Sequence, residues 1–311
     1  MLSSPFFAEV TDGPDTGRAV WLTASQGVRI RVAIWDNPGA KGSVLLLPGR
    51  SEYVEKYGRA AGDLGLRGYA TLSVDWRGQG LADRATGDRM VGHVDDFAEF
   101  QADLDAMIDC ARDQGLPQPF YLISHSMGGC IGLRALLRGI PVKAAAFSAP
   151  MWGIPLSAAM RPVANILSAT SRWFNFDHRY TPGTNGKTYV LDVPFVGNTL
   201  TTDAEMWDFM RQQALAHPDL SLGGPSLGWL NAALRECHAL SQVASPALPV
   251  YCALGLAEKI VDPTPVHRRM TSWQGATFEL YPGSEHEIMM ERPATRARFF
   301  DAACGLFDKH P

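Results

Sequence analysis

The chain has 311 residues, of which 46% are hydrophobic and 19% are charged, and its formal net charge is −4. This composition is typical of a globular protein and is long enough for one large α/β domain with an insertion. Because the chain has no long run of Lys and Arg, it lacks the positive surface that nucleic-acid binding requires. We therefore predict a globular protein that does not bind nucleic acid.

The cysteines and the N-terminal segment bear on the compartment. The five cysteines are odd in number and have no Cys-x-x-Cys spacing, which argues against a disulfide framework and against a zinc site. Residues 1–7 lack the basic and apolar regions of a signal peptide, and no apolar run reaches the ~18 residues of a spanning helix. We expect buried thiols, a cytoplasmic location and, at most, a peripheral contact with a membrane.

Strand and helix patterns alternate through most of the chain. Apolar or alternating runs predict strands, and apolar residues at spacings of three and four predict helices. The predicted strands are 18–23, 28–35, 43–47, 69–74, an apolar run beginning at 120, 142–147, 249–254 and 277–281, and the predicted helices are 56–66, 94–112 and 293–308. This alternation is typical of an α/β fold.

The stretch after residue 120 carries the candidate nucleophile. Its apolar run ends at Ser124-His125-Ser126-Met127-Gly128, and small and apolar residues then resume at helical spacing. A strand, a sharp turn and a helix in this order form a nucleophile elbow, in which a serine occupies the tip of a strained turn. The usual pattern is Gly-x-Ser-x-Gly, and Ser124 replaces its first glycine. The pattern identifies Ser126 as the candidate nucleophile.

The alternation stops between residues 151 and 240. This segment has too many aromatic and Met residues for a solvated loop, so some of them must pack on the core and others could line a cleft for an acyl chain. Trp173-Phe174-Asn175-Phe176 is its most lipid-suggestive run. We therefore predict that the segment 151–240 is an insertion in a core formed by 1–150 and 241–311, and the family resemblance described below implies that it is a helical cap.

The run Ser124-His125-Ser126-Met127-Gly128-Gly129 resembles the Gly-His-Ser-Met-Gly-Gly elbow of α/β-hydrolases. The resemblance is to the branch of monoacylglycerol lipases, lysophospholipases and proline-iminopeptidase-like serine hydrolases. Three further segments match in the same order, so it extends over roughly residues 18–309. It implies the α/β-hydrolase fold, with a mostly parallel eight-stranded sheet flanked by helices and a helical cap inserted after the sixth strand.

The resemblance also implies the remaining members of a catalytic triad. The family places an acid three residues after a glycine at the end of a late strand, which corresponds to Glu258 when counted from Gly255, and a second acid often follows, here Asp262. Either carboxylate could accept the imidazole N–H. We prefer Glu258, because Asp262 before a proline also has the pattern of a helix N-cap. His286 lies in a turn that resembles the one carrying the family's general base.

Two main-chain groups complete the implied site. Where the family has a His-Gly turn after a buried strand, this chain has Pro48-Gly49. A backbone N–H just after that glycine and the N–H after the nucleophile hold the developing oxyanion, and by position these donors belong to Arg50 and Met127. Because both are main-chain groups, Pro48 should leave the oxyanion hole intact. The run 75–80 resembles the family's Asp-x-Arg-Gly-x-Gly turn, to which we assign a structural role.

Together these features predict a serine hydrolase that cleaves carboxylic esters through Ser126, His286 and an acyl-enzyme, with no metal or organic cofactor. The resemblance implies a small-molecule or single-chain lipid ester, as for a lysophospholipase or monoacylglycerol lipase. It leaves the acyl length, the head group and the oligomeric state open.

Two alternatives remain. A proline-iminopeptidase-like aminopeptidase would need acidic groups for the substrate ammonium, and Glu205, Asp208 and Glu236 in the cap are candidates. A catalytically silent binding protein on the same fold is the second alternative. Reaction with a fluorophosphonate probe would distinguish it from an enzyme.

Overall fold

The computed structural model describes residues 1–156 and 160–311, so the predicted cap lies partly outside the described residues. The strands are β1 (Leu2–Ser3), β2 (Gly17–Thr23), β3 (Arg29–Trp35), β4 (Ser43–Leu47), β5 (Ala70–Asp75), β6 (Phe120–His125), β7 (Val142–Ser148), β8 (Val250–Gly255) and β9 (Thr277–Tyr281). The helices are α1 (Ala8–Thr11), α2 (Gly58–Leu66), α3 (Ala98–Asp113), α4 (Met127–Arg138), α5 (Met160–Ser171), α6 (Tyr189–Asp192), α7 (Ala204–Ala216), α8 (Leu227–Ser241), α9 (Pro263–Ser272) and α10 (Pro293–Phe307).

The strands form one sheet in the order β1-β2-β3-β5-β4-β6-β7-β8-β9. Strands β4 to β9 are parallel, whereas β1, β2 and β3 are antiparallel to their neighbours. The predicted α/β class and mostly parallel sheet are confirmed, but the described residues form nine strands in this sheet and not eight. The additional strand is β1, whose two residues pair with β2 and are too few to show a periodic pattern.

Helices cover both faces of the sheet. Helices α2 and α10 pack on one face, and α3, α4, α8 and α9 pack on the other. The central strand β4 is buried throughout, as its continuous apolar run predicts. The helix predicted over 94–112 begins only at Ala98, and just before it the Asp96 carboxylate accepts a hydrogen bond from the Ala98 N–H at 2.9 Å.

The segment after β7 contains helices α5 to α8, and α5 packs against α8. Gln213 on α7 anchors this segment to the core, because its amide nitrogen donates to the carbonyl oxygens of Val10, at 2.8 Å, and Glu55, at 3.2 Å. The Tyr53 hydroxyl donates to the Gln213 side-chain oxygen at 3.1 Å. This face of α7 therefore meets the core.

All five cysteines are free and buried, as predicted. Within the described part of the chain, no helix is long and apolar enough to cross a membrane. The carboxyl ends of the parallel strands meet at one edge of the sheet, which is where α/β proteins bind their ligands. The residues that follow β4, β6, β8 and β9 therefore lie at this ligand-binding edge.

Candidate active site

Ser126 occupies the turn between β6 and α4 with φ 50° and ψ −118°. This backbone conformation is strained for a residue other than glycine and is typical of a functional turn. Hydrogen bonds hold it: the Ser126 N–H donates to Ser148 O at 3.1 Å, and the Ser126 carbonyl accepts from the amides of Gly129 and Met151, both at 2.8 Å. The strained serine turn is therefore built into the sheet edge.

Glycines let α4 approach the sheet closely enough to form this turn. A Cβ on Gly128 would overlap the carbonyl oxygens of Leu47 and Pro48, and a Cβ on Gly132 would press on the Ser124 hydroxyl oxygen. Ser124 thus fits in place of the family glycine because the residue facing it in α4 has no side chain. This departure from the usual elbow pattern is accommodated by packing.

Glu258 and His286 are hydrogen-bonded to each other. Glu258 Oε2 lies 2.7 Å from His286 Nδ1, and Glu258 Oε1 accepts the amides of Ile260, at 2.6 Å, and Val261, at 3.0 Å. Burial alone would raise the pKa of Glu258, but the hydrogen bond and charge of His286, with the two amides, lower it below its usual value. The carboxylate is therefore ionised, as it must be to orient the imidazole and stabilise its protonated form.

Asp262, the second acid candidate, has a different position. Its Oδ1 accepts the Thr264 N–H at 2.9 Å and caps α9, as its place before Pro263 predicts. The Asp262 N–H donates to Gly153 O at 3.0 Å. Of the two acids, the structure brings Glu258 to His286.

The turns after β8 and β9 lie side by side. A Cβ on Gly255 would overlap the carbonyl oxygens of Ser284 and Glu285. The Ala257 N–H donates to Ser284 O at 3.0 Å. Gly255 is therefore required for the close approach that places Glu258 against His286.

A loop before α7 holds the histidine turn from the other side. The His286 N–H donates to Thr199 O at 3.3 Å, and the Glu287 N–H donates to Leu200 O at 2.8 Å. The Asn198 side chain shapes this loop through four hydrogen bonds. Its nitrogen donates to Phe195 O and Thr201 O, and its oxygen accepts hydrogen bonds from the N–H groups of Leu200 and Thr201. Sequence reasoning missed this contact. The polar run Asn198 to Asp203 ahead of a helix is the signal that marks the loop, although it does not reveal the loop's partner.

The predicted oxyanion turn follows β4 and lies against Ser126. The two amides that flank Arg50 are occupied, because Gly49 N–H donates to the Glu52 carboxylate and Ser51 N–H donates to the Gln79 side chain. Within the described residues the Arg50 N–H has no acceptor. Met127 is the first residue of α4, where an N–H has no intrahelical partner. Both predicted donors are therefore available.

A buried charge cluster lies behind the oxyanion and histidine turns. Lys56 Nζ is 2.7 Å from Glu52 Oε1 and 2.6 Å from Glu287 Oε2, and all three side chains are at most 7% exposed. Glu52 also accepts hydrogen bonds from Gly49 N–H and the Tyr57 hydroxyl. Burial opposes ionisation of Glu52, but Lys56, His125 and the Tyr57 hydroxyl together lower its pKa to about 2. The cluster thus joins the oxyanion turn to the residue that follows His286.

His125, the elbow residue before the nucleophile, is part of this cluster. Its Nδ1 lies 3.0 Å from the Ser148 carbonyl oxygen, which can only accept, so Nδ1 carries the proton. Burial lowers the pKa of His125 to about 3, and the ring is neutral at pH 7. The donor atoms of Glu52, His125 and Glu287 lie within 4.8 Å of one another, as in a metal site, but here the Lys56 ammonium supplies the cation.

The three cap acids considered for an aminopeptidase each lie in an ion pair. Glu205 is 3.0 Å from Arg59, Glu236 is 2.6 Å from Arg134, and Asp208 is 3.9 Å from Arg211. Glu205 and Asp208 lie one turn apart on α7, and Glu236 lies on α8.

A cavity of about 1060 Å³ lies between α5, α8 and the start of α9. Trp152, Ile154, Trp173 and Leu234 form apolar parts of its wall. Its described lining contains neither Ser126 nor the Glu258–His286 pair, so the cavity lies beside the site. The two are linked by the chain at 151–152, where the Met151 N–H donates to Ser126 O.

The strand order, the strained serine turn after β6 and the acid–histidine pair after β8 and β9 are those of an α/β-hydrolase. The family model described as serine aminopeptidase, S33, matches residues 38–293, and the chain belongs to this family. It is 30% identical over 277 residues to lysophospholipase L2 of Escherichia coli (strain K12), covering 86% of this chain and 80% of that protein.

Two solved structures share the fold. A soluble variant of monoglyceride lipase from Saccharomyces cerevisiae, in complex with a substrate analog, has a TM-score of 0.76 and 19% identity, with 99% of each chain covered. The monoacylglycerol lipase of Paleococcus ferrophilus has a TM-score of 0.67 and 21% identity, covering 90% of this chain and 98% of that one. The family and the fold make the protein a hydrolase.

Proposed function

We propose that the protein hydrolyses carboxylic esters of single-chain lipids through an acyl-enzyme on Ser126. The observation that carries the proposal is the buried Glu258–His286 hydrogen bond at the same sheet edge as a serine held in a strained turn. The similarity to a protein named lysophospholipase L2 supports a lipid ester as substrate.

In the proposed reaction, the Glu258 carboxylate holds His286 Nδ1–H, so that Nε2 accepts the Ser126 hydroxyl proton. The Ser126 oxygen attacks the ester carbonyl, and the amides of Arg50 and Met127 stabilise the oxyanion of the tetrahedral intermediate. His286 then gives its proton to the leaving alcohol. In the second half, His286 removes a proton from water, whose oxygen attacks the acyl carbonyl. When the tetrahedral intermediate collapses, the bond to the Ser126 oxygen breaks, His286 returns the proton to that oxygen, and the fatty acid is released.

The cavity beside the site is a candidate for the acyl chain. Its volume of about 1060 Å³ is sufficient for one chain, and Trp152, Ile154 and Leu234 supply apolar contacts on a wall that also contains charged side chains such as Asp95, Arg172 and Arg235. Burial of an acyl chain contributes about 0.8 kcal/mol per CH₂. We therefore expect turnover of esters to rise with chain length.

A substrate panel with purified protein tests the proposal. The panel contains p-nitrophenyl esters from acetate to palmitate, a monoacylglycerol, a lysophosphatidylcholine and proline β-naphthylamide. Ester turnover that rises with chain length, with fluorophosphonate labelling lost in Ser126→Ala and His286→Ala, is the expected result. Turnover confined to the amide would favour an aminopeptidase, and absence of turnover and labelling would favour a silent binding protein.

The proposal includes a cytoplasmic enzyme that reaches lipid through its cap. Trp173 and Phe174, which follow α5, are 82% and 71% exposed, and such exposed aromatic groups are typical of peripheral membrane contacts. Phosphatidylcholine vesicles should co-sediment less of a Trp173→Ser/Phe174→Ser variant than of the wild type. Leu66→Ser is the matched control, because Leu66 is 89% exposed on the core helix α2. Equal binding of the three proteins would contradict the contact, and cell fractionation would test the location.

A further inference from the structure

The side chain of Arg50 has a position distinct from the role of its backbone amide. The residue is half-buried between the oxyanion turn and the cap. Its Nη1 donates to Gly223 O at 2.8 Å, and its guanidinium carbon lies 5.6 Å from the centre of the Trp229 ring. Glycine at position 92 makes room for this packing, because a Cβ there would lie 3.1 Å from Arg50 Nη1. The guanidinium is therefore held between the loop at Gly223 and the Trp229 ring.

In the part of the chain that the structure describes, this guanidinium has no anionic partner. An arginine carries five N–H donors, and within the described residues only one bond from Arg50 has an acceptor, with no carboxylate within 4.0 Å. Burial lowers the pKa of Arg50 to about 10. A partly buried cation without a nearby counter-charge is unfavourable, and such a group is a candidate for binding an anion.

Two other arginines whose pKa is lowered by burial, Arg84 and Arg269, show what a structural role requires. Arg84 donates to the carbonyl oxygens of Gly80, Ala82 and Arg89. Arg269 donates to Leu240 O, Val243 O and the Ser245 hydroxyl, which closes the end of α8. Each makes three hydrogen bonds to the loop that it holds. Arg50 makes one, so most of its donors are free for a ligand.

We propose that the Arg50 guanidinium binds the phosphate of the leaving alcohol and makes the enzyme prefer lysophospholipids over monoacylglycerols. Arg50 follows Gly49, which lies against Ser126, so its guanidinium lies within one side chain's reach of the oxyanion turn. The planar guanidinium matches two phosphate oxygens, an arrangement that a neutral glycerol cannot provide. The inference rests on the proposed ester hydrolysis at Ser126.

The test compares three substrates with the same decanoyl chain: a lysophosphatidic acid, a lysophosphatidylcholine and a monoacylglycerol. In Arg50→Met, the kcat/KM ratio of each phosphate substrate to the monoacylglycerol should fall about tenfold or more, the effect of losing a charge-assisted hydrogen bond. Arg50→Lys should retain part of the ratio. Arg211→Met is the matched control, because Arg211 carries the same charge on the cap surface, and its ratio should stay within about twofold of the wild type.

Inhibition measures binding apart from turnover. Glycerol phosphate should inhibit p-nitrophenyl butyrate hydrolysis by the wild type more strongly than inorganic phosphate or glycerol does, and this inhibition should weaken in Arg50→Met and in Arg50→Lys. Inorganic phosphate inhibiting as well as glycerol phosphate would mean a site for the free ion, which overturns the assignment to the substrate. Phosphate binding by Arg50 is also refuted if the kcat/KM ratios and the inhibition by glycerol phosphate are unchanged in both Arg50 variants. The proposed ester hydrolysis would still stand in that case, provided that the wild type is active and labelled. If the wild type shows neither turnover nor labelling, both the proposed ester hydrolysis and the proposed phosphate binding are refuted.

Discussion

Replacement of Lys56 by Met should destabilise the protein strongly. Lys56 is the cation between Glu52 and Glu287, and the three side chains are 5%, 7% and 5% exposed. Burial alone would lower the pKa of Lys56, but the two carboxylates raise it above its usual value, so the ammonium is charged. Loss of one member of a buried ion group costs about 3–5 kcal/mol, because the remaining charges have no partner.

The size of the effect follows from the chain length. An unfolding entropy of about 2.1 cal/mol/K per residue gives roughly 0.65 kcal/mol/K for 311 residues. The expected loss then lowers Tm by about 5–8 °C. The double variant Lys56→Met/Glu287→Gln removes one of the stranded carboxylates along with the cation, so it should recover part of that loss.

Thermal unfolding followed by far-UV circular dichroism at pH 7.5 measures these differences. Lys41→Met is the matched control, because Lys41 pairs with Asp308 at the surface, where both side chains are nearly half exposed. Its Tm should change by less than about 1 °C. The reasoning is refuted if the Tm of Lys56→Met falls no further than that of Lys41→Met, or if the double variant has no higher Tm than Lys56→Met.

Three further predictions concern the site and its supports. Glu258→Gln should lower kcat about 10³–10⁴-fold, because the imidazole loses its orienting carboxylate. Asp262→Asn should leave ester turnover nearly unchanged. The reverse ranking would give the acid role to Asp262. The pKa of His125 is about 3 in the folded protein and 6.5 in the unfolded chain, so the unfolded chain binds more protons between these values and stability falls as the pH falls from 6.5 to 3. In His125→Asn, Tm should therefore fall less steeply between pH 6.5 and 4. A slope equal to that of the wild type would contradict the burial of a neutral His125. Gly128→Ala should abolish fluorophosphonate labelling, because the added Cβ would overlap the Leu47 and Pro48 carbonyl oxygens. The control Gly65→Ala in α2 adds a Cβ with nothing within 4 Å and should stabilise the folded protein by about 0.5–1 kcal/mol. Labelling retained by Gly128→Ala would contradict the packing argument.

Patterns of neighbouring residues in the sequence predicted much of the fold and identified the candidate nucleophile. The apolar run of β4 and the strand–turn–helix sequence around Ser126 depend on neighbours in the chain, so they can be read without a tertiary structure. The helix N-cap at Asp262 is also local and is confirmed. The two-residue strand β1 could not be predicted, because its existence depends on pairing with β2 and not on its own sequence.

The partners of the site residues required the tertiary structure. Glu258 and Asp262 lie in one turn, and only the approach of the β9 turn to Gly255 decides which of them meets His286. The same holds for the loop shaped by Asn198, which reaches His286 from another part of the chain.

By itself, the sequence determined the α/β class, the strained turn at Ser126 and the candidate residues, because periodicity and turn chemistry act over a few neighbouring residues. The tertiary structure alone decided which charges are shared, as Lys56 is between Glu52 and Glu287, and which, like Arg50, have no carboxylate beside them among the described residues. Burial and charge pairing depend on groups that are distant along the chain and adjacent in space. No local pattern records that adjacency.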